Sequence, residues 1–235
     1  YDLALDAVND MIIIMQALLP TYMVAVAVSS GVTSSMVLQE GLMIGITVVT
    51  EIMKKIVFPV IQFYVVLSFV NNLTEQDYFS KLSELLSTFV NWLLKSALAV
   101  VLGVNGVKSM LAPAADSVTA TALNRGLEVL PGGQTVQAVS SVVISSGILI
   151  KNAIGVGGIL LLAAAVLLPV LKLSAMVMIY NLMAAMLQPI IEPRMLRGLN
   201  SVGHAGQMLV STVLSVGVLF IVSIAIISAS TNIRY

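Results

Sequence analysis

Cysteine is absent from this 235-residue chain, histidine and tryptophan each occur once, and charged side chains make up only 9% of it. Each shortage removes a class of function. Without cysteine there is no disulfide, no thiolate nucleophile and no sulfur-ligated metal, and the redox compartment leaves no trace. The single histidine, His204, has no acidic neighbour in sequence. A metal site needs several ligands, so none is expected here, and a helix start near a membrane interface suits His204 better. No paired carboxylates, nucleophile–base set or phosphate-cradling glycine loop occurs, so neither catalysis nor a cofactor is expected. Gly155-Val156-Gly157-Gly158 follows no strand and reads as a helix-packing surface. The 11 basic residues balance 11 acidic ones, and a net charge of 0 argues against nucleic acid as a partner.

What the chain does have is apolar surface. Hydrophobic residues make up 59% and mean hydropathy is +1.05, where a soluble domain carries roughly 25% charged residues. No charge occurs within 11–39, 56–74, 129–150, 152–171, 173–191 or 198–233. About 20 apolar residues cross a bilayer as a helix, and most of these runs suffice. The expected fold is therefore an all-α polytopic membrane protein of the cell membrane, with the lipid bilayer as its surroundings. A soluble bundle would need polar outer faces that this composition cannot supply. A membrane β-barrel would alternate apolar with polar residues, and these runs do not. Because the chain opens at Tyr1, it is expected to be a piece of a longer protein, with any signal peptide upstream.

One phrase occurs twice. Ala27-Val28-Ser29-Ser30-Gly31-Val32-Thr33-Ser34-Ser35 returns as Ala138-Val139-Ser140-Ser141-Val142-Val143-Ile144-Ser145-Ser146, an offset of 138 − 27 = 111. Pro20 and Pro131 share that offset, while Pro59 and Pro169, and Asn71 and Asn181, are separated by 110. A constant offset carried by landmarks in order is the mark of internal duplication. Two tandem repeats of ~110 residues follow, 1–112 and 113–235, forming one pseudo-symmetric membrane domain.

Within the first repeat, apolar segments at 8–28, 36–50 and 56–70 are separated by the serine phrase and by Glu51-Ile52-Met53-Lys54-Lys55. A turn-rich loop, 71–77, leads to an amphipathic stretch. There Leu82, Leu85, Leu86, Phe89 and Leu93 oppose Lys81, Ser83, Glu84, Ser87 and Asn91, with Trp92 near the end. That pattern predicts an interfacial helix, which runs on into 96–104 and stops at Asn105-Gly106. The second repeat opens at Pro131-Gly132-Gly133, and its apolar segments at 147–168, 171–187 and 207–228 follow the same order, with a basic link at 192–197. Short arms around a Ser-rich tip predict a re-entrant helical hairpin in each copy, and broken segments in corresponding halves point to a binding or conduction site. On that reading Ser29, Ser30, Ser34 and Ser35, with Ser140, Ser141, Ser145 and Ser146, line a pore or substrate path. The competing reading is that these small residues let helices pack closely.

Four further polar residues stand out within or beside the apolar runs. Glu40 and Lys151 both lie five residues after the second serine pair of their copy (35 + 5 and 146 + 5). Opposite charges at equivalent places can pair across a pseudo-axis, or each can sit at a helix end among headgroups. Lys172 and its counterpart Gln62 (172 − 110) face a cavity or partner helix, unless the lysine snorkels to the interface. Lys81, Lys95, Arg194 and Arg197 mark corresponding loops, and if cations face the cytoplasm the repeats run parallel, with Lys54 and Lys55 on the opposite side.

Several phrases together resemble one family. Val57-Phe58-Pro59 leading to Asn72-Leu73-Thr74, then Lys151-Asn152-Ala153-Ile154-Gly155, and Tyr180-Asn181-Leu182 leading to Gln188-Pro189, resemble the stage III sporulation protein AE family of endospore-forming bacteria. The resemblance runs from about residue 10 to the end and implies a multi-pass protein of the mother-cell membrane around the forespore. It further implies a secretion-like channel complex, a permease-like or export-gate role, and other stage III A membrane and ring proteins with a cytoplasmic ATPase as partners. It carries no catalytic or ligand-binding residue. A homo-oligomer is compatible with it. Two other functions fit the composition: a secondary transporter of a small solute built on two re-entrant hairpins, which the scarcity of carboxylates in the apolar runs disfavours, and a scaffold that docks an ATPase and ring proteins.

Overall fold

The computed structural model describes residues 1–73, 78–128 and 133–231. Among them the chain is helical and has no strand: α1 (Asp2–Ser30), α2 (Val32–Val49), a π-helical segment (Thr50–Val57), α3 (Phe58–Leu73), α4 (Ser80–Glu128), α5 (Gly133–Leu187) and α6 (Pro193–Ser230). Five stretches among the described residues are long and apolar enough to cross a membrane: Asp2–Ser30, Val32–Asn72, Ser80–Leu111, Val139–Leu187 and Pro193–Ser230. These are the features of a multi-pass membrane protein.

The first serine phrase breaks the chain at one residue. Gly31 has φ 119°, a conformation that a β-carbon makes costly, so glycine is the residue that permits the turn. Gly31 N–H still donates to the Ala27 carbonyl at 3.1 Å, and Ser35 N–H donates to the Gly31 carbonyl at 3.1 Å. Both backbone groups of Gly31 are therefore bonded, one into α1 and one into α2, although the helix breaks at this residue. Both flanking helical stretches are long enough to cross, so the short arms expected of a re-entrant hairpin are not seen here.

At the second phrase the expectation fails outright. Residues 138–146 lie inside the uninterrupted α5. Position 142, which corresponds to Gly31 (31 + 111), holds valine, whose β-branched side chain cannot take a positive φ. The same helix joins the segments 147–168 and 171–187 through Pro169. Proline removes one backbone hydrogen bond from a helix interior, but without glycine or a polar turn beside it the chain kinks rather than stops.

Other boundaries moved for related reasons. The charged stretch 51–55 is π-helical rather than a break, with Phe58 N–H donating to the Met53 carbonyl five residues back. Pro59 follows immediately and has no N–H to return to the carbonyl four residues before it. Glu51 and Lys55, one turn apart, form an exposed ion pair at 2.6 Å. The amphipathic stretch is the opening of α4, and its apolar row faces outward: Leu82, Leu85, Phe89 and Trp92 are exposed while Ser83, Val90 and Leu94 are buried. α4 does not stop at Asn105-Gly106 but continues to Glu128. In the basic link, Pro193 already starts α6, as suits a residue whose missing N–H is an orphan at a first helical turn. Of the expected loop 71–77, Asn71 and Asn72 belong to α3, and 74–77 lie outside the described residues, as do Pro131 and Gly132.

The chain forms two compact units, each drawing on both halves of the sequence. The first comprises 1–12, 47–99 and 164–218. Its core includes Val57, Phe58, Val90, Val213 and Val216, and Tyr1 meets the Phe58 ring edge-on at 5.5 Å. The second comprises 13–46, 100–163 and 219–235, with Val26, Leu38, Val101, Leu162 and Phe220 buried. In a bilayer such cores are held by close packing more than by exclusion of water. α5 is the least enclosed span, with 17% of its apolar window buried against 50% for α6.

Candidate functional site: two polar clusters in apolar helices

In the second unit the first serine phrase is built into a buried polar seam. Ser29, Ser34 and Ser35 are buried. Ser29 Oγ donates to the Val26 carbonyl at 3.2 Å within its own helix turn, and Ser35 Oγ donates to the Met23 carbonyl at 2.8 Å, tying α2 back to α1 across Gly31. Ser30 Oγ reaches the Thr231 carbonyl at 3.3 Å. Thr231 also receives the ammonium of Lys151, whose Nζ donates to Thr231 Oγ1 at 2.8 Å, and Lys151 is 0% exposed. Removing a cation from water costs several kcal/mol before its partners compensate. On α4, Asn105 Nδ2 donates to Ser223 Oγ at 2.9 Å in a buried contact with α6. Asn105 thus ties two apolar helices together instead of ending one.

Two carboxylates border this seam. Asp116 accepts the Ser34 backbone N–H at 2.7 Å, and a β-carbon on Gly31 would collide with its carboxyl. Burial pushes the Asp116 carboxyl up, but hydrogen bonds from Ser34 and Thr33 outweigh that and hold it below its ordinary value. Glu40 pairs with Lys108 at 2.7 Å. The anticipated pairing of Glu40 with Lys151 therefore gives way to two separate arrangements: Glu40 with a lysine one helix away, and Lys151 with a threonine hydroxyl.

The second serine phrase approaches the first without joining its seam. A β-carbon on Gly147 would lie 2.8 Å from Val28 Cγ1, so α5 passes close to the first phrase there. Yet Ser140, Ser141, Ser145 and Ser146 are exposed. Ser145 and Ser146 donate to the Ser141 and Val142 carbonyls at 2.8 and 2.9 Å, the back-bonding of a serine to its own helix.

The first unit holds a polar cavity of about 560 Å³ where the end of α3 meets the openings of α4 and α6. Ser68 Oγ donates to Ser201 Oγ at 2.7 Å, and Ser201 Oγ donates to the Arg197 carbonyl at 2.9 Å. Ser87 Oγ and His204 Nε2 share a hydrogen bond at 2.9 Å, with the Tyr64 ring 5.7 Å from the imidazole. Asn71 Oδ1 accepts the Phe79 N–H at 2.7 Å, satisfying a donor ahead of α4. Ser83 lines the cavity, is 8% exposed, and its hydroxyl has no partner among the described residues.

A profile of the family described as Stage III sporulation protein AE matches residues 1–231. The chain belongs to the stage III sporulation protein AE family. A relative, the Stage III sporulation protein AE of Bacillus subtilis (strain 168), is 25% identical over 236 residues, covering 98% of this chain. The chain spans 58% of that relative's length. No solved structure matches it.

In this member of the stage III sporulation protein AE family, Gln62 and Lys172 both lie exposed on their helices. His204 lies 11 residues into α6 (204 − 193), not at the helix start expected of it, and within a hydrogen-bonded cluster that the sequence reading missed. A signal for that cluster exists. Ser68, Asn71 and Asn72, then Ser80, Ser83 and Ser87, then Arg197, Ser201 and His204 each recur at three- or four-residue spacing. Three polar helical stripes in apolar surroundings face one another only if their helices meet, and one sequence does not say which helices do.

Proposed function

We propose that this chain is a membrane-embedded, permease-like or export-gate subunit of the stage III A secretion-like channel complex, seated in the mother-cell membrane around the forespore. The observation that carries this reading is fully buried Lys151 within the seam that also holds Asn105, Ser34 and Thr231. Ionisable groups inside apolar helices are costly and mark pathways or relays more often than bare scaffolding. The Gly31 turn supplies the polar tip of the path, and the second serine phrase contributes an exposed stripe. The role is transport, not catalysis. Exposed cations such as Lys81 and Lys95 offer contacts to a cytoplasmic ATPase and to the ring proteins.

Duplication fits the element order. α3 ends at Leu73 and α4 opens at Ser80; α5 ends at Leu187 and α6 opens at Pro193. These boundaries recur at 187 − 73 = 114 and 193 − 80 = 113, close to the sequence offset of 111.

Because the chain is free of cysteine, single cysteines at Ser30, Ser34, Ser141 and Ser145 can be tested in vesicles with a membrane-impermeant thiol reagent. A watery path predicts ready labelling at Ser30 and slower labelling at Ser34, which is more deeply covered. Four inert positions would instead support a membrane scaffold that docks the ATPase and ring proteins, a reading favoured by the self-bonded second serine set.

A further inference from the structure

The polar cavity of the first unit has an apolar neighbour. A groove of about 510 Å³ runs along α4 past Leu85, Phe89 and Trp92, and it shares Glu84 and Thr88 with the cavity. Phe89 and Trp92 stack at 6.4 Å, and Trp92 is 61% exposed. The cavity lies at the ends of three candidate spans, at Asn72, Ser80 and Pro193, which is headgroup depth for helices that cross a bilayer.

Cavity and groove together are lined by two cations, Lys81 and Arg197, against one anion, Glu84. Glu84 is engaged by Lys81 at 3.2 Å, whereas Arg197 is in no ion pair among the described residues. The first turn of α4, with Ser80 and Ser83 in the cavity wall, adds the partial positive charge of a helix N-terminus. Ser83 supplies a buried hydroxyl without a partner at the cavity wall, a donor that costs free energy until something accepts from it.

We infer that this paired cavity and groove bind one anionic phospholipid, its phosphate held by Arg197, Ser83 and the Ser87–His204 pair and one acyl chain lying along Leu85, Phe89 and Trp92. The guanidinium fork suits phosphate oxygens. A tryptophan beside a polar pocket suits the region where headgroup gives way to hydrocarbon. A zwitterionic lipid would bring its own cation against Arg197, so the site discriminates by charge. This inference rests on the membrane location alone and stands apart from the proposed transport role.

Trp92, the only tryptophan, reports on the groove directly. The full chain is reconstituted in phosphatidylcholine vesicles, and Trp92 fluorescence is followed as brominated phosphatidylglycerol or brominated phosphatidylcholine replaces part of the lipid. The anionic lipid should quench several-fold more strongly at equal low mole fraction. Arg197→Gln should bring the two lipids to parity, and Ser83→Ala, a smaller change, should reduce the preference, with helix content unchanged by circular dichroism in both. Millimolar inorganic phosphate should leave the preference intact. Equal quenching in the unmodified chain, or a preference that survives Arg197→Gln, overturns the site. Erasure by inorganic phosphate overturns the lipid assignment in favour of a soluble phosphate compound.

Discussion

Gly31 carries two demands at one position, a positive φ and room for the Asp116 carboxyl. An alanine there meets backbone strain of about 1–2 kcal/mol from the left-handed conformation alone, and its β-carbon displaces Asp116 from the Ser34 N–H. Gly31→Ala should therefore lower the thermal midpoint by more than the strain alone implies, while Gly157→Ala, at an open position, should leave it nearly unchanged. Circular dichroism melts of the detergent-solubilised variants measure both. The individual residues were legible in the sequence to different depths. Lys151 and Glu40 stood out as charges in apolar surroundings, and they are held in polar contacts. Their partners, Thr231 and Lys108, lie 80 and 68 positions away along the chain (231 − 151 and 108 − 40). Nothing in a single sequence encodes such a pairing, because it depends on which helices become neighbours.

The serine phrases show how much an element owes to one position. Two near-identical phrases end a helix in one copy and ride within a helix in the other. Hydropathy and serine content do not separate them; the permitted sign of φ does. The turn also uses a partner, since Asp116 receives the Ser34 N–H, and the position that duplication would match to it (116 + 111) is Ile227. Val142→Gly should therefore loosen α5 without breaking it, at a cost of about 0.5 kcal/mol from propensity. Amide hydrogen exchange across 139–146 should quicken several-fold yet stay well below that of an open loop. Loop-like exchange would mean that glycine alone dictates the break. The same logic explains the other misplaced boundaries. Pro169 and Asn105 look like stops in a linear reading, yet a proline without a following turn bends a helix, and an asparagine with a buried partner strengthens its packing.

For the molecule as a whole, composition made the membrane class plain, because no arrangement of 9% charged residues covers a soluble surface of this size. The count of crossings was less plain, since α5 replaces two expected segments. If the five candidate stretches among the described residues each cross once, the two chain ends lie on opposite faces of the membrane, whereas separate crossings by 147–168 and 171–187 would place them on the same face. Terminal epitope tags tested for protease protection in sealed, uniformly oriented vesicles should show one end shielded and the other cleaved. The polar cavity escaped the sequence reading altogether, because it forms only where three stripes from separate helices converge. The junction at Gly31 has a mechanical consequence as well. A connection of one residue has no slack, so a tilt or twist of the α1 segment beside it must be passed to α2, where a longer loop would absorb it. The two rods form a lever with a fixed elbow, and its deepest load is the buried ammonium that reaches the same seam through Thr231.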